Sequence, residues 1–182
     1  MDYWRAHCTG CDLRYLGQLH DVIRMAQEIE RKYLVLDNSF KHEAFSKSHI
    51  QQGYICSERG RTVRVRIRDE RAYLTIKGPS LNGGLSRYEF EREIPLDDGL
   101  QMMQLCEPGI IDKTRWLVKS GLHTFEVDEF HGENAGLVVA EVELHHEDEL
   151  FEKPHFIGKE VTGDRRYYNS QLRANPYCNW SL

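Results

Sequence analysis

The sequence predicts a mainly β, α+β fold: eight antiparallel strands able to close into a barrel, or tunnel, with a polar, charged lumen and flanking helices. Three observations predict it. Several extended segments alternate between charged and apolar side chains, the period of a pleated strand. The connections between them are short, as antiparallel neighbours allow. Charge is also sorted by strand: glutamates stand at i and i+2 in Glu28/Glu30, Glu89/Glu91 and Glu141/Glu143, and bases at the same spacing in Arg64/Arg66 and Lys113/Arg115. Eight such strands can close so that interior and exterior side chains alternate. An open sheet with a charged outer face has the same alternation, so the pattern leaves open which face is inside.

The first strand, about residues 27–36, opens on Glu28-Ile29-Glu30-Arg31-Lys32. Alternation sends Glu28, Glu30 and Lys32 to one face and Ile29, Tyr33 and Val35 to the other. Two carboxylates at that spacing can share a hard cation, and a lysine on the same face can meet an anion that the cation also holds. Such a face suits a metal-chelated phosphate, although charged strand residues are most often simply solvated. Asp37-Asn38-Ser39 offers caps for a short helix carrying Phe40, Ala44 and Phe45. Ile50 to Cys56 reads as a strand that turns at Glu58-Arg59-Gly60. Thr62 to Arg68 places Val63, Val65 and Ile67 opposite Arg64, Arg66 and Arg68; after Asp69-Glu70, the strand 72–77 sets Lys77 beside Thr75. A loop at Gly78-Pro79 and Asn82-Gly83-Gly84 leads to Arg87–Ile94, which projects Glu89, Glu91 and Glu93 together. Leu96 to Cys106 reads as a helix ended by Pro108-Gly109. Strands at 110–119 and 122–130 flank Ser120-Gly121 and carry Lys113 with Arg115 and Glu126 with Asp128; the eighth strand, 137–144, carries Glu141 and Glu143. A short acidic helix is expected near His146, and a last helix capped by Asp164 carries Tyr168 and Leu172 before Asn175-Pro176.

The length of 182 residues suits one domain. Lys and Arg total 24 against 29 Asp and Glu, a net charge of −5, which gives no general electrostatic case for a nucleic-acid or membrane partner. Positive charge for an anionic ligand must therefore be focused locally. No apolar run approaches the roughly 18 residues of a transmembrane helix, and the first residues lack a signal peptide's core, so a cytoplasmic protein is expected. The cysteines at 8, 11, 56, 106 and 178 are odd in number and scattered, which favours reduced thiols. His7, Cys8, Cys11 and the neighbouring His20 make a poor zinc site, since Cys-x-x-Cys wants a second pair of ligands. The nine histidines, His145-His146 among them, read as surface residues.

A charged lumen is costly unless it is filled, because buried charges need partners. Same-sign pairs on one strand repel unless a divalent cation and a polyanion sit between them. The motifs that carry this pattern are the E-x-E-x-K run, R-V-R-I-R, T-I-K, Y-E-F-E, K-T-R-W, E-V-D-E-F, A-E-V-E-L and G-K-E-V-T-G-D-R-R-Y-Y-N, in that order over about residues 26–173. Their set resembles the CYTH superfamily, the triphosphate tunnel metalloenzymes. That resemblance implies an eight-stranded antiparallel tunnel acting on triphosphate-containing substrates with Mg2+ or Mn2+. Carried onto these residues, it implies Glu28, Glu30, Glu141 and Glu143 as metal ligands, with Glu89, Glu91 and Asp128 as further tunnel acids. It also implies Lys32, Arg64, Arg66, Lys77, Lys113 and Arg115 as phosphate ligands. Arg68, Arg87, Glu126 and Lys159 fall near the pattern. Residues 1–24 lie outside the resemblance and are expected to be an N-terminal extension to a domain over 25–182. Tyr167-Tyr168-Asn169 departs from the pattern, with a second aromatic where a small residue is expected.

Phosphoryl transfer needs positioning and charge stabilisation, which metal ions and Arg/Lys clamps supply. Lys32 is the expected catalytic residue, helping to orient the attacking water. No serine, cysteine or histidine sits in a nucleophile motif, so a covalent phosphoenzyme is unsupported. The leading expectation is an inorganic triphosphatase releasing orthophosphate. Class IV adenylate cyclase, thiamine triphosphatase and a non-catalytic polyphosphate-binding module are the alternatives. No adenine pocket can be read from the sequence, and the oligomeric state is not encoded in these motifs.

Overall fold

The computed structural model describes residues 27–58, 60–79 and 86–181. The proposed extension 1–24 and the Cys8/Cys11 pair lie outside the described residues, as do the side chains of Glu28 and Arg87. The elements are β1 (Gln27–Val35), α1 (Phe40–Glu43), β2 (Ser46–Glu58), β3 (Arg61–Arg68), β4 (Arg71–Lys77), β5 (Ser86–Ile94), α2 (Leu96–Gln104), β6 (Ile111–Ser120), β7 (His123–Phe130), β8 (Val138–Leu144), β9 (Ile157–Glu160) and α3 (Asn169–Ala174). Among the described residues, no helix is long and apolar enough to cross a membrane.

The strands form one antiparallel sheet in the order β5-β4-β3-β2-β6-β7-β8-β1-β9, with a further pairing of β5 to β1. This corrects the expected closed barrel of eight strands. Among the described residues the sheet has nine, and its ends meet only where Gln27, Glu28 and Ile29 pair with Tyr88, Arg87 and Ser86. Farther along β1 the same edge is taken by β9, through Tyr33–Glu160 and Val35–Ile157. The expected helix near His146 is absent. The Glu149 carboxylate accepts from the His145 N–H at 2.5 Å and pairs with His123 Nε2 at 2.9 Å, so local side-chain bonds replace a helical ladder. Asp164 does cap, but it caps the 3-10 turn Arg165–Tyr167, accepting from Arg166 N–H at 3.1 Å, and the α-helix begins only at Asn169.

Packing settles which face is inside. The apolar faces of β1, β6, β7 and β8 supply Tyr33, Val118, Phe125, Val127, Ala140 and Val142 to an outer core covered by Phe40 of α1 and by Phe156. Phe40 meets Trp116 and Phe156 edge-on, both at 6.0 Å. On the far side, α2 lies so close to β4 that a Cβ on Gly99 would come within 2.4 Å of Ala72 Cβ, which is why that helix position is glycine. With the apolar faces covered, the charged faces turn inward. One end of the interior is instead filled by Ile111, Phe130, Leu137, Val139 and the fully buried Leu172 of α3.

Candidate active site

The interior holds a cavity of about 620 Å³ to which each of the strands β1–β8 contributes. Register explains its wall. Directly opposed residues share a face and lie within reach of each other, and Arg64 stands level with Thr75, which stands level with Glu91. Arg64 accordingly donates to Thr75 Oγ1 at 2.9 Å and to Glu91 Oε2 at 3.0 Å. Arg66 approaches Glu91 at 3.8 Å, and Lys77 is ion-paired with its cross-strand neighbour Glu89. Burial raises the Glu91 carboxyl, but Arg66, the Thr75 hydroxyl and Arg64 outweigh it and hold the pKa below the usual range.

The opposite wall follows the same rule. Lys32 is level with Glu141, and Glu141 with Glu126. Lys32 Nζ lies 2.6 Å from Glu141 Oε1, and Arg115 bridges the two like-charged glutamates, with Nη1 on Glu126 and Nη2 at 3.4 Å from Glu141. Burial works against the Glu141 carboxylate, yet Lys32, Arg115 and Lys113 hold its pKa well below the usual value.

Lys113 and Asp128 require a correction. Neither is among the cavity-lining residues. Lys113 is 0 % and Asp128 1 % exposed, and they meet at 2.5 Å while Arg115 grips the same carboxylate through Nε and Nη2, both at 2.7 Å. Their side chains share the inner face but sit beside Phe130, at the filled end. Burial pulls Lys113 down to about 8, only partly offset by Asp128. His123 is likewise not a surface residue: it is 11 % exposed and lines the cavity.

Among the other expected residues, Lys32, Arg64, Arg66, Lys77, Arg115, Glu30, Glu89, Glu91, Glu141 and Glu143 all line the cavity. Glu28 occupies β1 at the register of Arg87, but its side chain lies outside the described residues. Sequence reasoning missed Tyr54, Thr75, Tyr168, Asn169 and Ser170. Thr75 was findable, one alternation step from Lys77. The others come from a bulged stretch of β2 and from the segment leading into α3, where no strand period marks an inward face.

Two features show what the cavity can accept. The buried Nε atoms of Arg64 and Arg66 have no acceptor among the described residues. Burial, then the Arg64 and Arg115 cations, draw Arg66 down to about 10, against the opposing pull of Glu91 and Glu126. The acids suit a hard cation: Glu30 stands directly opposite Glu143, and both line the cavity. Opposed like charges are unfavourable unless a cation lies between them. No cluster of three or more His, Cys, Asp or Glu side chains is already gathered for a metal among the described residues.

Fold and site together define an antiparallel β protein whose rolled sheet encloses a cavity of sorted charges. A family model described as CYTH domain matches residues 26–170, and the chain belongs to that family. It is 46 % identical over 157 residues to an inorganic triphosphatase of Acetivibrio thermocellus, covering 86 % of this chain and 99 % of the relative. It is 33 % identical to an inorganic triphosphatase of Nitrosomonas europaea, covering 80 % and 95 %. The crystal structure of the inorganic triphosphatase NE1496 superposes with a TM-score of 0.57 at 30 % identity, covering 80 % of this chain and 93 % of that one.

Proposed function

We propose that this chain is a divalent-metal-dependent inorganic triphosphatase that hydrolyses inorganic triphosphate to orthophosphate and pyrophosphate. The observation that carries this reading is the convergence of Lys32, Arg64, Arg66, Lys77 and Arg115 on one cavity, each also paired with an acid. Among the described residues the buried Nε atoms of Arg64 and Arg66 have no acceptor, and a triphosphate would supply oxygens there. The relatives named inorganic triphosphatase support the same substrate.

Lys32, Arg64, Arg66, Lys77 and Arg115 surround the phosphate chain, the rolled sheet serving as a tunnel. Lys113 acts from beneath: through Asp128 it fixes the plane of Arg115. The cation is Mg2+ or Mn2+, held by Glu28, Glu30, Glu141 and Glu143, an all-oxygen set suited to hard cations. When bound, it neutralises phosphate oxygens and acidifies water. Lys32, ion-paired with Glu141, orients the attacking water. The water oxygen bonds to the terminal phosphorus as the bridging P–O bond breaks, and pyrophosphate leaves.

The test is orthophosphate release from inorganic triphosphate by the wild type, Arg64→Ala and Arg66→Ala. Each substitution removes hydrogen bonds to a charged group, about 1.5–3 kcal/mol, and should lower kcat/KM about tenfold to a hundredfold. Wild-type efficiency in both variants would remove the site, and no release by the wild type would remove the function.

A further inference from the structure

We infer that Tyr168 determines substrate specificity: its ring forms the floor of the cavity and sets how far a phosphate chain can enter. This rests on the reading of the cavity as a triphosphate site. Tyr168 is the extra aromatic of the Tyr167-Tyr168-Asn169 run, and it lines the cavity with its ring centroid 5.4 Å from Lys32 Nζ. It is held from both sides. Its N–H bonds the Arg165 carbonyl at 3.1 Å, and its carbonyl accepts from Gln171 and Leu172 at 2.8 and 2.9 Å. Before it, Tyr167 packs edge-on against Trp180 at 5.3 Å; after it, Leu172 is buried against Ile111, Phe130 and Val139.

The floor and Lys32 belong to one body. The Lys32 N–H donates to Thr162 Oγ1 at 3.0 Å, and Val161 N–H donates to the Lys32 carbonyl at 2.8 Å. Tyr54, which also lines the cavity, belongs to the apolar cluster of Ile111, Phe130 and Leu172, where an unpaired phosphoryl charge has no place. A chain entering the cavity therefore stops with its terminal phosphoryl group beside Lys32. A triphosphate stopped there lies among the bases of the wall, whereas a fourth phosphoryl group is left to uncharged lining such as Thr62 and Thr124 and gains no further base. Removing the ring opens the space beside Lys32 Nζ to a further phosphoryl group.

Binding of inorganic triphosphate and tetraphosphate is measured by titration calorimetry, alongside kcat/KM for both, in the wild type, Tyr168→Phe, Tyr168→Leu and Tyr168→Ala. Tyr168→Ala should raise the tetraphosphate-to-triphosphate ratio about tenfold, the worth of one added charge-assisted contact. Tyr168→Phe and Tyr168→Leu, which keep bulk, should hold the wild-type ratio. An unchanged ratio in Tyr168→Ala overturns the inference. So does Tyr168→Leu behaving like Tyr168→Ala, which would mean that the ring acts on Lys32 through its π face. A wild type that neither binds nor hydrolyses triphosphate removes the underlying reading instead.

Discussion

Replacing Asp128 by alanine should destabilise the protein far more than any other substitution of an interior acid. Asp128 is 1 % exposed and accepts from Lys113 Nζ, Arg115 Nε and Arg115 Nη2. Removal strands Lys113, whose only ion-pair partner among the described residues is Asp128. At pH 7 Lys113 can escape by shedding its proton, and from about 8 that costs one pKa unit, or about 1 kcal/mol. Arg115 cannot deprotonate and loses a two-pronged charged hydrogen bond worth about 1.5–3 kcal/mol. The sum, about 2.5–4 kcal/mol, overlaps the usual cost of breaking a buried ion pair, and should lower Tm by about 5–16 °C. Urea and thermal unfolding of Asp128→Ala and Asp128→Asn, measured together, would check it. The loss in Asp128→Ala should also shrink above pH 8, where wild-type Lys113 is already neutral. A loss below about 1 kcal/mol at pH 7 would refute the claim that this buried cluster supports the wall.

Three further outcomes are expected. Glu28→Ala and Glu30→Ala should each lose more activity than the roughly hundredfold typical of an outer-shell metal partner while unfolding like the wild type; wild-type turnover at saturating Mg2+ or Mn2+ would remove them as ligands. A chain beginning at Met25 should fold and keep its activity, because β1 starts at Gln27; insoluble or inactive protein would make the preceding residues part of the fold. The stability difference between wild type and Lys113→Met should move in the wild type's favour as pH rises from about 8 to the ordinary 10.5. In that window the unfolded chain still holds a proton that the folded chain has released, so stability rises with pH. A flat difference curve would place the Lys113 pKa at its ordinary value.

Most of the strands were legible because one face had to be apolar and the other was charged, and alternation records that directly; β2, which has no charged face, was read only over Ile50 to Cys56 and extends over Ser46–Glu58. β9 was not legible. Ile157-Gly158-Lys159-Glu160 has no alternation, and it is a strand only because the outer edge of β1 is available to it. The direction of the charged faces was also hidden, since it depends on Phe40 and Phe156 covering the opposite side. Within the site, alternation identified Arg64, Arg66, Lys77 and Arg115 as residues of one face, but carried no measure of depth. Lys113 is one step from Arg115, yet lies beside Phe130 instead of lining the cavity. Nothing in the sequence turned Tyr168 and Asn169 toward the cavity, because the chain reaches it there through a turn and not along a strand.

The most direct measurement is a side-by-side determination of kcat/KM for inorganic triphosphate, ATP and thiamine triphosphate, with Mg2+ and with Mn2+ and with cyclic AMP assayed among the products. Bases on both walls of the cavity can meet a bare triphosphate from several sides without any nucleoside contact. Cyclisation would also require a ribose hydroxyl held near the α-phosphate with water excluded. The expected result is the highest kcat/KM for inorganic triphosphate, orthophosphate as product and no cyclic AMP. Cyclic AMP as the main product from ATP, with little hydrolysis of inorganic triphosphate, would contradict it.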